Sequence, residues 1–574
     1  MERVLYAARA LPPLRQDVGF DTARFDDWVR ERESARCQSS SGAGATRRLH
    51  VALIIDGPPP AHTVDSLLSL ERQTSTSWTL TVVALPAWRG EVSRMLTLSG
   101  VRHRAGVRTP GPNTGFLGLL EEGLGVGRGD HLALMFPGDV WAPDAVLQLS
   151  AALTHGGMVY ADEDCLDVRG THVLPRLKPA FSPEFLLHLD CIGRPLALAA
   201  DVVARLPAAS ALVAEAGEHD LALRAADVAR TVRHIPEVLC HRRLPSPVMP
   251  TETPEGRHHV SVALARHGEE AATLPGLAPA SVLIRRKPRI ATTASIIIPF
   301  RDEPRFLRTC FDSIERTLGS VTPEYLLIDN GSEQPETATL LERLGSHSRV
   351  RILEDRRPFN WAVLNNTAAA AAASDVLVFL NNDIEALTPG WLDVLCAQAC
   401  RSDVGAAGAR LLYPDHRVQH CGVVLGMGGA AGHIFAGLGE DEPGYLGMAV
   451  TTRECSAVTG ACLATSRRVF ERLGGFDESL GVDLNDIDYC LRAWGSGLRV
   501  LYESTAELVH HESPSRGSAG GVDDIVLFIE RWKACILEGD PYLNPNLTRV
   551  DSSCALREPS EEQWWLRWHE GLIP

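Results

Sequence analysis

Ser295-Ile-Ile-Ile-Pro-Phe-Arg-Asp302, Leu326-Leu-Ile-Asp-Asn-Gly-Ser332 and Val376-Leu-Val-Phe-Leu-Asn-Asn-Asp383 are three apolar runs that each meet a carboxylate. Short apolar runs bounded by turn residues read as buried strands. Phe306 to Arg316 and Trp391 to Cys400 read as intervening helices. The alternation predicts an α/β fold with a mostly parallel sheet. Acids at the C-terminal ends of successive strands then share the edge where such sheets bind ligands. Further on, Asn485-Asp-Ile-Asp488 opens another helical segment with two more acids. Carboxylates gathered in this way suit a divalent cation holding a diphosphate, and a base that activates a hydroxyl.

Working outward, the chain repeats itself. Val51-Ala-Leu-Ile-Ile-Asp-Gly-Pro mirrors the run from Ser295, and Asp130 to Asp139 mirrors Asp375 to Asp383; the spacings agree, 295 − 51 = 244 and 383 − 139 = 244. Asp220-Leu-Ala-Leu-Arg-Ala mirrors Asp488-Tyr-Cys-Leu-Arg-Ala at 488 − 220 = 268, so the second copy carries 268 − 244 = 24 extra residues before that helix. Two tandem domains of one fold follow: an N-terminal extension at 1–48, a first copy at 49–284, a second at 285–550 and a tail at 551–574. The copies differ chemically. Ala84 stands where the second has Asp329, and Pro137-Gly138 where it has Asn381-Asn382. The first copy is therefore expected to be a non-catalytic platform, although acids remain at Asp162 to Asp164, Glu218 and Asp220.

Composition removes other classes. With 574 residues the chain is long enough for two or three full cores, and a formal charge of −16 argues against a nucleic-acid partner. The three lysines, Lys178, Lys287 and Lys533, follow no Gly-rich loop, which excludes a P-loop nucleotide site. No apolar run reaches the roughly 18 residues of a membrane span, and Met1 to Phe20 lacks a signal-peptide core. Thirteen cysteines without a C-x-x-C pair suit reduced thiols. The expected location is the cytoplasm or its membrane face. Trp564, Trp565 and Trp568, on helical spacing, read as a stripe docked on the protein itself, with membrane-surface or partner contact as the alternative. Gly426-Met-Gly-Gly-Ala-Ala431 superficially fits a dinucleotide fingerprint, but no acid follows at the right distance, and it is read as a mobile acceptor-side loop.

The second copy resembles the family-2 glycosyltransferases of the GT-A fold across nearly its whole length. Besides the runs above, the resemblance is carried by Phe359-Asn-Trp-Ala-Val-Leu-Asn-Asn366, Gly408 to Asp415, Val418-Gln-His-Cys-Gly-Val-Val424, His510-His-Glu-Ser513 and Tyr542 to Thr548. The tandem arrangement is similar to bacterial rhamnosyltransferase-like enzymes of O-antigen and cell-wall polysaccharide assembly. Tyr160 to Asp164 and Lys178-Pro-Ala-Phe-Ser-Pro183 resemble their degenerate leading domain.

The resemblance implies transfer of a sugar, with inversion, from a nucleotide-diphosphate donor to a glycan or lipid-linked glycan acceptor, assisted by Mn²⁺ or Mg²⁺. It implies Asp486 as the base and Asp383 with His511 as metal ligands. Pro299, Asp302, Asp329, Asn381 and Asn382 fall at nucleotide-binding positions, Pro299 more as the structural exit of its strand. Asp488, His510 and Arg516 are secondary candidates. Plainer roles compete: Asp383 and Asp486 as helix caps, and Asp329-Asn-Gly-Ser as an ordinary turn. Two rival functions remain open. A nucleotidyltransferase would want a basic Gly-rich loop after the first strand, which Pro299 to Pro304 lacks, and a catalytically dead carbohydrate-binding scaffold is favoured only by Asn381.

Overall fold

A computed structural model describes residues 21–39, 48–112, 114–126, 129–153, 156–207, 217–244, 254–288, 292–512 and 522–561. Arg516 and the three tail tryptophans lie outside them. The chain divides into two compact units, the first holding residues 21–268 and 279–282 and the second 269–278 and 283–561.

The first unit contains helix α1 (Thr22–Ser39) and strands β1 (Leu49–Ile55), β2 (Trp78–Ala84), β3 (Ala105–Arg108), β4 (His131–Met135), β5 (Asp139–Trp141), β6 (Gly157–Leu166), β7 (His172–Arg176), β8 (Leu196–Leu198) and β9 (Thr231–Arg243), with helix α2 (Glu218–Val228) before β9. The strand order is β3-β2-β1-β4-β8-β6-β9-β5, with β7 beside β6. The described part of the N-terminal extension, residues 21–39, belongs to this unit: α1 buries Phe25 and Val29, and Arg36 donates to Asp144 at 2.9 Å.

The second unit contains β10 (Ala294–Phe300), α3 (Pro304–Thr317), β11 (Glu324–Asp329), α4 (Pro335–Gly345), β12 (Val350–Glu354), α5 (Trp361–Ala371), β13 (Val376–Leu380), β14 (Ile384–Ala386), α6 (Trp391–Ala399), β15 (Val404–Leu412), β16 (Val418–His420), β17 (Val423–Leu425), β18 (Ala431–His433), β19 (Arg453–Glu454), β20 (Cys462–Ser466), α7 (Asn485–Gly495), β21 (Arg499–His510) and α8 (Val522–Glu538). Its order, β12-β11-β10-β13-β20-β15-β21-β14 with β16 beside β15, reproduces the first unit position for position. This is the tandem arrangement of one α/β fold that the repeat implies. The surplus of the second copy is the hairpin β17–β18 and strand β19.

Each sheet is mixed rather than mostly parallel. Strands β10 to β13 pair in parallel as the apolar runs predict, because both faces are covered and Ile296, Ile297 and Ile298 are all buried. One face packs Leu327, Val378 and Leu380 against Leu307, Phe311 and Ile314 of α3 and Trp391 and Leu395 of α6. Each such side chain contributes about 1.5–3 kcal/mol of transfer free energy. Strand β20 is antiparallel to β13, pairing Cys462 with Leu380. It starts from the edge where β13 ends, so it must run the opposite way. That reversal leaves Gly460 and Ala461 on the edge where the acids gather. Strand β21 runs parallel to β15 and brings His510 to the same edge.

The Gly-rich stretch after Leu425 is a hairpin turn with left-handed Gly426, Gly428 and Gly429, not a helix start, and Leu425 N–H donates to buried Asp540 at 2.7 Å. The expected loop is thus an ordered hairpin. Residues 551–561 fold back on their own unit, with Thr548 N–H donating to the Ala555 carbonyl at 2.8 Å. All thirteen cysteines are free, and among the described residues no helix is long and apolar enough to cross a membrane.

Candidate functional site

The turn after β13 places Asn381 and Asp383 in buried positions, 7% and 6% exposed, with Asn382 half-buried between them. Strand β14 pairs antiparallel with β21, opposing Ile384 to His510, so the end of β21 lies against this turn. His510 Nε2 is 3.2 Å from Asp383 Oδ1 and 3.3 Å from Asn381 Nδ2. On the other side of the ring, His510 Nδ1 is 2.7 Å from Gln419 Oε1. Gln419 Nε2 in turn donates to Glu512 at 3.2 Å, which assigns its oxygen to the histidine. Nδ1 therefore carries a proton, and Nε2 faces the Asp383 carboxylate with the Asn381 amide beside it. A carboxylate oxygen and an imidazole nitrogen converging in this way fit a shared Mn²⁺ or Mg²⁺.

His511 is the correction. Neighbouring residues of a strand point to opposite faces, and its Nε2 meets Glu385 at 3.1 Å while its ring packs on Phe306. Only its backbone N–H reaches Asp383, donating to the carbonyl at 3.0 Å. The structure thus brings His510, not His511, to the acid.

Asp486 opens α7 and accepts from Gly460 N–H at 2.6 Å. The next residue, Ala461, accepts from Asn381 N–H at 3.1 Å. Consecutive residues before β20 therefore fasten the base candidate and the metal-side turn together. Gly460 is required here, since a Cβ would lie 2.9 Å from the Trp361 ring and 3.3 Å from Asp486 Cβ. Asp488, two residues on, is fully buried and saturated by Arg492 at 2.8 Å, Arg531 at 2.7 Å and Trp532 Nε1 at 3.0 Å. Its counterpart Asp220 holds Arg224 at 3.0 Å. These contacts make Asp488 an anchor of α7.

On the nucleotide side, Asp329 Oδ1 accepts from Ser332 N–H at 2.8 Å, forming the turn its sequence favours. Asp302 Oδ1 accepts from Glu333 N–H at 2.9 Å and Gln334 N–H at 2.8 Å, just ahead of α4. That carboxylate oxygen ties two strand-end turns together. Asp302 and Glu303 both adopt positive φ, +53° and +50°, a strained pair of the kind found at binding edges. Pro299 sits within β10, paired with Ile328. Two further residues border this edge without an earlier signal: Asp355, whose N–H donates to the Asp329 carbonyl, and Arg357, which pairs with Asp355. Asn360 caps α5 and donates to Glu478, and Trp361 packs on Phe379 and Phe476, so this motif is structural support.

The first unit closes the equivalent space. Arg194 donates to Asp139 at 2.7 Å and to Glu218 at 2.5 and 2.8 Å, and lies over the Phe136 ring. Asp139 and Glu218 are the repeat counterparts of Asp383 and Asp486, so a guanidinium bridges the two acids. The cavity left beside Phe136, Arg194 and Glu218 has a volume of ≈ 10 Å³, too small for a sugar nucleotide. A second cluster in this unit, Asp164, His172 and His241, lies within metal-ligand reach. Asp164 meets His172 Nδ1 at 2.8 Å and His241 Nδ1 at 2.6 Å, and His241 Nε2 meets Glu33 of α1 at 2.9 Å. Burial alone would depress the His241 pKa. The Asp164 charge and the hydrogen bonds to Asp164 and Glu33 overcome it and raise the value to about 10. In this arrangement the ring bridges Asp164 and Glu33.

The second unit is thus an α/β domain with a carboxylate–histidine pair and a separate acid on the ligand-binding edge of its sheet. Residues 295–474 match glycosyl transferase family 2, and the chain carries a domain of that family. Over 97% of its length the chain is 34% identical to the O-antigen biosynthesis protein RfbC of Myxococcus xanthus, covering 45% of that protein. It is 31% identical, again over 97% of its length, to the uncharacterized protein y4gI of Sinorhizobium fredii, covering 65% of it. The chain therefore spans roughly half to two thirds of these relatives. A crystal structure of GalNAc-T7 with UDP, GalNAc and Mn²⁺ aligns with 49% of the chain and 55% of its own at 17% identity, with a TM-score of 0.34.

Proposed function

We propose that the second unit is a metal-assisted, inverting glycosyltransferase that moves a sugar from a nucleotide-diphosphate donor to a hydroxyl of a glycan or lipid-linked glycan. The observation that carries the reading is the fastening of Asp486 and Asn381 to consecutive residues Gly460 and Ala461, with Asp383 and His510 facing each other beside them. Asp383 and His510 would hold Mn²⁺ or Mg²⁺, which supplies charge neutralisation for the departing diphosphate. Asp329 and the Asp302-tied turn border the nucleotide. Asp486 takes the proton of the acceptor hydroxyl as its oxygen bonds to the anomeric carbon and the bond to the diphosphate breaks. One displacement inverts that carbon. The first unit is a non-catalytic platform with its acids bridged by Arg194. The similarity to an O-antigen biosynthesis protein supports a polysaccharide acceptor.

The test is a screen of UDP-, dTDP- and GDP-sugars for turnover by the full chain, with Mn²⁺ and with EDTA. Metal-dependent release of nucleoside diphosphate is expected. Equal turnover in EDTA would overturn the metal role, and no turnover of any donor would overturn the reading.

A further inference from the structure

His433 ends β18, in the segment that the second unit has and the first lacks. Its Nδ1 donates to the backbone carbonyl of Gln419 at 3.0 Å. A carbonyl can only accept, so the proton sits on Nδ1 and the neutral ring presents an unprotonated Nε2. Among the described residues that Nε2 has no hydrogen-bond partner, and unlike both ring nitrogens of the adjacent His420 it is not sealed from solvent. The ring is held edge-on against His420 at 4.7 Å. Burial lowers its pKa, opposed by the Gln419 hydrogen bond and the charges of Asp486 and Glu512 and reinforced by His510. His433 and His510 both place their Nδ1 on Gln419, which ties the hairpin to the metal-side histidine.

Gln419 links the two histidines. Its side-chain oxygen accepts from His510 Nδ1 at 2.7 Å, and its main-chain oxygen accepts from His433 Nδ1. One residue thereby holds both Nδ1 atoms and turns both Nε2 atoms away from itself.

Resting on the function proposed above, we propose that His433 binds the acceptor: its Nε2 accepts a hydrogen bond from a hydroxyl of the incoming sugar and orients it toward Asp486. Gln419 is the positioning residue that aligns this contact with the metal-side His510.

The experiment uses the full chain, the donor and nucleoside diphosphate found by the screen, and methyl hexopyranosides as probe acceptors. His433→Ala should raise the acceptor KM and lower the ratio of transfer to donor hydrolysis by about tenfold, the effect of one lost hydrogen bond. Affinity for the Mn²⁺–nucleotide should stay within about twofold. His433→Gln, which keeps an acceptor atom, should recover part of the ratio. Gln419→Leu should weaken both the Mn²⁺–nucleotide affinity and the ratio. A His433→Ala variant that loses Mn²⁺–nucleotide affinity would make His433 a metal ligand, and an unchanged ratio would make it structural; either overturns the assignment. Should the wild type transfer to no probe, imidazole ¹⁵N spectra decide independently: His433 is expected as the neutral Nδ1–H tautomer at pH 7, and an imidazolium or Nε2–H form overturns the inference.

Discussion

His510 Nε2 lies 3.2 Å from Asp383 Oδ1 while its Nδ1 is committed to Gln419. A carboxylate oxygen and an imidazole nitrogen at this separation can share a divalent cation. Asp383→Ala and His510→Ala should each abolish the metal-dependent part of nucleotide binding. Calorimetry of nucleoside diphosphate with Mn²⁺ and with EDTA checks this. His511→Ala, removing a ring that faces Glu385 instead, should leave that difference in place. Metal-dependent binding lost with His511 rather than His510 would reverse the assignment.

Asp486→Asn removes the proton acceptor and keeps a side-chain oxygen for Gly460 N–H. Turnover should fall by roughly 10²–10⁴, the usual contribution of a positioned base, with Mn²⁺–nucleotide affinity nearly unchanged. Turnover within about tenfold of wild type would place the base elsewhere.

Asp488→Ala should behave in the opposite way. Its carboxylate is buried against two arginines and an indole, so its removal strands Arg492 and Arg531. Breaking a buried pair from one side costs about 3–5 kcal/mol. The expected result is a large drop in melting temperature, with residual activity per folded molecule preserved well below the transition. Full stability with lost chemistry would make Asp488 a reacting group.

How far these roles are legible in sequence depends on the range of the interactions that create them. Strands β10, β11 and β13 announce themselves because burial on both faces demands unbroken apolar runs. Asp383, Asp329 and Asp486 are legible because they stand directly at the ends of such elements. The choice between His510 and His511 is not, since it turns on how β21 registers with β14, a pairing more than a hundred residues apart in the chain. Hairpin β17–β18 shows only as a growing repeat offset, because strands of three residues carry no period. Gln419 and Arg194 are single polar residues whose partners lie 91 and 55 residues away, and nothing local marks them.

The His241 imidazolium gives the first unit a pH signature. Its folded pKa, about 10, exceeds the ordinary 6.5, so the protonated ring stabilises the fold. That stability is fully present below about pH 6.5 and is lost as pH rises through about 10. Wild-type melting should therefore fall between pH 7 and 10.5, and His241→Gln should start lower and fall less. Parallel pH profiles for the two proteins would remove the ion pair with Asp164 and Glu33 as a source of stability.

Glu218 and Asp486 occupy the same place in the two copies, at 486 − 218 = 268 residues, the spacing that also relates Asp220 to Asp488. In the first, the acid grips Arg194; in the second, its partner is a backbone amide at the head of β20. A guanidinium bridging Asp139 and Glu218 engages both acids with a cation. Glu218→Gln should consequently leave transfer within about twofold of wild type, in the same assay where Asp486→Asn loses it. Only a modest fall in melting temperature is expected, because Glu218 is partly exposed and contributes a surface-like pair. Loss of one of two distinguishable products in a correctly folded Glu218→Gln protein would instead reveal a second working site.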